Sequence, residues 1–246
     1  MKPSSPAIAT PADVVVSRTR SVILTLAAPA LLFLLVVVGF SVAVAVSIGG
    51  DDAAIAVAVE RRVPEILLVA QLAMLGLLVA VLRRGRLDLA AIGWHASGRD
   101  VALGAAVGTL LAGVYITVLE PLQVSLQNSI GDYVPAGSVV LSLGASLPAF
   151  FVANVALAPF VEESLYRGAG LLRLTPPWSA RRALLVTSAL FGLLHWSGGM
   201  WYMLLTGGIA GVTFGLLTLR RRSVVPAFAA HLTLNVLEFV YVAWVA

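Results

Sequence analysis

Seven apolar stretches separated by short clusters of arginine leave this chain little choice of fold. A hydrocarbon core about 30 Å thick needs roughly 20 apolar residues of helix to cross it. Backbone amides at that depth must find their partners within the segment. The stretches run over residues 21–48, 63–82, 101–119, 143–173, 183–197, 200–219 and 223–245. The expectation is an all-α integral membrane protein, a multi-pass helical bundle of about seven transmembrane helices.

Composition agrees with that solvent. Of 246 residues, 60% are hydrophobic and 11% charged, against about 25% charged in a soluble domain. The absence of cysteine removes disulfides, thiolate chemistry and cysteine metal sites together. The basic excess does not indicate nucleic acid, because the basic residues sit in short clusters between apolar runs, where they report topology.

Lys2, Arg18, Arg20, Arg83, Arg84, Arg86 and Arg99 fall on one side of the membrane, as do Arg173, Arg181, Arg182 and Arg220 to Arg222. Arg61 and Arg62 fall on the other. The positive-inside rule puts the N-terminus in the cytoplasm and the C-terminus outside. Residues 1–20 read as a disordered cytoplasmic tail, 21–140 as N-terminal transmembrane helices and 141–246 as the functional core. Residues 120–138, with Pro121, Gly131, Pro135 and Gly137, read as an outer loop, and Trp196, Trp201 and Tyr202 as members of an outer aromatic belt. Gly104, Gly108 and Ala112, and likewise Gly207, Gly211 and Gly215, form small-residue stripes suited to close helix packing.

Polar groups inside the spans are costly in lipid and therefore informative. They concentrate in the C-terminal half: Asn154, Glu162, Glu163, Arg167, His195, His231, Asn235 and Glu238, against Glu65 and Gln71 earlier. His95 lies in the "GWHASGRD" loop and reads as a surface residue. At about 1.5 Å per residue, Glu162 lies roughly 16 Å from Arg173, His195 roughly 20 Å from Arg182 and His231 roughly 13 Å from Arg222. Three helices thus deliver a titratable group to one depth. Glu163 and Arg167 are spaced i, i+4 with the acid first, the favourable order for an intrahelical ion pair. That leaves Glu162 as the free carboxylate, facing a cavity and suited to act as a base. His231 and Asn235 share a helix face, and Phe191 precedes His195 by one turn.

"EESLYR", "FGLLH" and "HLTLN" fit Glu-Glu-x-x-x-Arg, Phe-x-x-x-His and His-x-x-x-Asn, in that order on successive apolar segments. In this the chain resembles the CPBP family, the CAAX prenyl proteases and bacteriocin-processing or immunity (Abi) proteins, over about residues 145–240. The resemblance implies an intramembrane endopeptidase with a conical cavity open to the cytoplasm and to lipid, in the plasma membrane. Its substrate would be a peptide or membrane protein. Glu162 and His195 would activate a water, His231 and Asn235 would stabilise the oxyanion, and Glu163, Arg167 and Phe191 would support them. No cofactor is required by that scheme. The alternative is a zinc site formed by Glu162, His195 and His231, which would turn the proposed base into a ligand. Other classes that intramembrane acids and histidines serve are a proton-coupled transporter or channel, and a non-catalytic immunity or scaffold protein of the same fold. No internal repeat favours the transporter.

Overall fold

The computed structural model describes residues 11–49, 51–95, 97–132 and 147–244, and among them there is no strand. The chain folds as α1 (Pro11–Ile48), α2 (Asp52–Glu60), α3 (Val63–Gly85), α4 (Gly98–Ser129), α5 (Leu147–Leu174), α6 (Ala180–Leu194), α7 (Met200–Arg221) and α8 (Val225–Trp244). This is the expected all-α multi-pass protein. Six helices are long and apolar enough to cross a membrane; Thr19–Ile48 is the spanning part of α1.

The expected fifth span, 183–197, is shorter than a full crossing. Helix α6 has 15 residues, about 22 Å of rise, and stops at His195, where the backbone leaves helical geometry ahead of a 3₁₀ turn and Gly199 at φ 96°. His195 is therefore a helix-terminal residue rather than a mid-helix one. The third span is longer than expected. Helix α4 runs on to Ser129 through a wide π turn at Tyr115–Leu119, so residues 120–129 are helix and not outer loop. Pro121 lacks the N–H that would bond Thr117, and the widened turn directly ahead of it absorbs that loss. Residues 133–138 of the expected loop lie outside the described residues. So do 143–146 and 245 of the expected spans, and 1–10 of the expected tail. Residues 11–19, also expected to be disordered, are helical, with Pro11 at the first position, where its missing N–H costs nothing.

Both small-residue stripes pack helices. A Cβ on Gly104 would meet the Pro226 carbonyl and Ala229, and one on Gly108 would meet the Ala230 carbonyl and Thr233. These contacts climb α4 and α8 together, so the two helices run parallel. Gly207 faces Gly192, Gly211 faces Ser188 and Gly215 faces Leu184, an antiparallel register between α7 and α6. The arginine-bearing ends are tied together: Arg221 pairs with Asp100 at 2.6 Å, and Val224 N donates to the Gly93 carbonyl at 2.8 Å. At the opposite ends, Gln127 bonds the Gly198 carbonyl and the Tyr202 amide, while Asp132 accepts from Met200 N. The turn after α6 thus reaches the far end of α4, although α6 itself is short.

Candidate active site

Residues 161–171 of α5 are all buried, the longest unbroken buried run among the described residues. Just ahead of it Pro159 removes one backbone donor, and π turns at Phe151–Leu157 and Ser164–Leu171 flank the Ala158–Glu163 segment. Such widened turns redirect side chains that an unbroken α-helix would spread evenly.

The expected ion pair forms: Arg167 Nε lies 3.1 Å from Glu163 Oε2, with both side chains almost wholly buried. Arg167 also donates from Nη2 to the Gly211 carbonyl at 3.1 Å, and its guanidinium lies 4.1 Å over the Phe191 ring. The small-residue stripe of α7 thereby supplies a backbone acceptor as well as close packing. Glu163 does more than balance Arg167. Its Oε1 is 3.0 Å from His231 Nδ1. A carboxylate accepts, so Nδ1 donates, and Nε2 of His231 is the nitrogen left for other work.

Phe191 stands between the two histidines. Its ring is 4.9 Å from His195 and 6.1 Å, edge-on, from His231, whose other face stacks on Phe214 at 5.1 Å. His195 Nδ1 lies 2.9 Å from the Phe191 carbonyl. A carbonyl can only accept, so Nδ1 carries the hydrogen and the neutral ring keeps its lone pair on Nε2. Asn235 donates from Nδ2 to the Asn154 carbonyl at 2.8 Å. One amide hydrogen of Asn235 remains for another acceptor.

Glu162 departs from expectation. Its Oε1 accepts from Gln71 Nε2 at 2.9 Å, across α3 and α5, so it is not a free carboxylate. Its Oε2 has no hydrogen-bond partner among the described residues. It is not among the residues that line the cavity, but it acts electrostatically on His195 and Tyr202.

The cavity holds about 570 Å³ free of atoms and is partly open. His195, His231 and Asn235 line it with Phe191 and Phe214, and it continues past Tyr115, Tyr202 and Glu238. These last residues lie along α4, α7 and α8 away from the arginine-bearing ends. The arginine-bearing side carries aromatic packing. On that side the Trp94 indole packs between Phe160 and Phe228, each ring 5.1 Å away, and donates to Ser164 Oγ at 3.0 Å. Tyr202 is not a belt residue: its ring lies 5.8 Å from His195. Trp196 packs on Phe33. His95 is exposed, as expected.

Among the lining side chains that carried no functional expectation are Tyr115, Tyr202 and Glu238. The spacing His231, Leu234, Asn235, Glu238 (i, i+3, i+4, i+7) marks one helix face and could have found the last of them. Gln71 offered no comparable signal, because a lone glutamine in a span is usually a helix-to-helix bond. Among the described residues no three His, Cys, Asp or Glu side chains are grouped so as to hold a metal ion.

Residues 144–237 match the family model described as Type II CAAX prenyl endopeptidase Rce1-like. The match makes this segment similar to that family. It spans α5 to most of α8 and includes all three motifs. The matched segment receives Gln71 from α3 and Tyr115 from α4, both outside the matched residues. No curated protein and no solved structure matches the chain.

Proposed function

We propose that the chain is an intramembrane endopeptidase that hydrolyses a membrane-associated peptide or protein with a water activated by Glu162 and His195. The observation that carries this reading is the 3.0 Å bond between Glu163 and His231, which ties two of the motifs together at the wall of an intramembrane cavity. The Rce1-like match supports the reaction class.

In the proposed reaction, water adds to the scissile carbonyl carbon as its proton passes to the lone pair on His195 Nε2, and the Glu162 carboxylate stabilises the imidazolium so formed. The spare amide hydrogen of Asn235 and the Nε2–H of His231 in its imidazolium form stabilise the oxyanion. The C–N bond then breaks, and the captured proton goes to the departing amine. Glu163 orients the His231 ring through Nδ1 and stabilises that imidazolium, as a buried carboxylate does for a catalytic histidine. Arg167 pairs with the other oxygen of that carboxylate. The low dielectric strengthens each of these interactions. No step runs through a metal, so chelation should leave activity intact.

The arginine distribution supports a cytoplasmic N-terminus and a cytoplasmic location for the Trp94 face. Quantitative proteomics of membranes carrying wild-type protein or Glu162→Ala tests the function where the substrate is unknown. A membrane protein that is truncated only with wild type is the expected result. Identical peptide termini in both membranes would count against peptidase activity.

A further inference from the structure

Past Asn235 the cavity ends at an acid that none of the proposed chemistry uses. Glu238 lines it beside Tyr115, Leu119, Tyr202 and Leu205. His231, Asn235 and Glu238 are spaced i, i+4, i+7, so they form one stripe down the α8 wall. No hydrogen bond or ion pair engages the Glu238 carboxylate among the described residues. The ionisable groups that act on it are Glu120, a second acid carried by α4, and His231. An intramembrane carboxylate lacking a cationic partner is costly, and a neighbouring acid raises the cost, so a cation that enters the cavity gains a charge partner there. The rings of Tyr115 and Tyr202 add aromatic faces, which attract ammonium and guanidinium groups.

We propose that Glu238, Tyr115 and Tyr202 form a subsite for a cationic side chain, lysine or arginine, of the bound peptide. The seven residues from His231 to Glu238 span roughly 10 Å. An extended peptide covers that length in about three residues at 3.3 Å each. The subsite therefore reads the residue about three positions from the cleaved bond. The register rests on the peptidase reading; cation binding does not.

The test uses the full chain in phosphatidylcholine nanodiscs, which offer no primary amine. Fluorescent acyl-anchored decapeptides differ at one position, which carries lysine, norleucine or glutamate and is moved along the peptide. Binding is read by anisotropy and cleavage by mass spectrometry. At one position lysine should bind about tenfold or more tightly than norleucine, the scale of a charge-assisted bond. That ratio should fall to near one in Glu238→Gln, and Glu238→Lys should prefer the glutamate peptide. Wild type with no lysine preference at any position overturns the proposal, and this arm needs no variant to fold. A preference that survives Glu238→Gln also overturns it. Lysine preference without cleavage of any peptide would support the subsite and sink the peptidase reading instead.

Discussion

His231 Nδ1 and Glu163 Oε1 meet at 3.0 Å although 68 residues separate them, and Arg167 holds the other oxygen of the same carboxylate. One acid thus anchors an ion pair within α5 and orients an imidazole on α8. Stability and chemistry are coupled through it, and the coupling can be separated by mutation.

Breaking a buried pair from one side leaves an uncompensated charge and costs about 3–5 kcal/mol. Glu163→Gln and Arg167→Met should each lower thermal stability by an amount of that order. The double variant should recover much of the loss. Its cleavage rate should stay about a hundredfold or more below wild type, because the carboxylate behind His231 is gone. Thermal-shift and rate measurements on the three variants check this. Recovery of rate along with stability would show Glu163 to be structural only.

Gln71 supplies the observed hydrogen bond to Glu162. Gln71→Leu should destabilise the fold by about 1–3 kcal/mol, the cost of a stranded buried acceptor. It should also slow cleavage, by roughly tenfold, as Glu162 loses its fixed orientation. In Glu162→Gln the desolvated charge is removed, so stability should be unchanged or higher while activity is lost. A rate in Gln71→Leu equal to wild type would detach α3 from the site.

Close packing distinguishes glycines of the same helix. Gly104→Ala forces a methyl onto the α8 backbone and should cost about 1–3 kcal/mol. Nothing lies within 4 Å of a Cβ at Gly113, so Gly113→Ala should be neutral, or stabilising by up to about 1 kcal/mol. Equal melting temperatures for the two variants would contradict the parallel α4–α8 contact.

The natural chain has no cysteine, so single cysteines report topology cleanly. Ser97→Cys, on the arginine-bearing face, should react with impermeant maleimide only in opened cells, and Ser129→Cys should react in intact ones. Labelling of Ser97→Cys in intact cells would invert the orientation.

Much of the bundle was legible in the chain, because lipid leaves helices as the simplest answer for long apolar runs and arginines mark their ends. The Glu163–Arg167 pair and the small-residue stripes were legible for the same reason: they follow from spacing within one helix. What escaped depends on contacts between helices. Gln71 and Glu162 are 91 residues apart, and no periodicity connects them. The early stop of α6 at His195 and the extension of α4 past Pro121 each depend on how a local backbone defect is absorbed, by a 3₁₀ turn in one case and a π turn in the other. Tyr202 was misread because a tyrosine near a span end suits a membrane interface equally well.

The most direct measurement is cleavage of a membrane-anchored peptide pool by purified protein in nanodiscs, comparing wild type, Glu162→Ala and His195→Ala, each with and without chelator. Wild type should release new termini equally well in both conditions. Both variants should be inactive while remaining folded and monodisperse. Full activity in either folded variant would contradict the water-activating pair, and activity lost to chelator and restored by zinc would contradict a metal-free site.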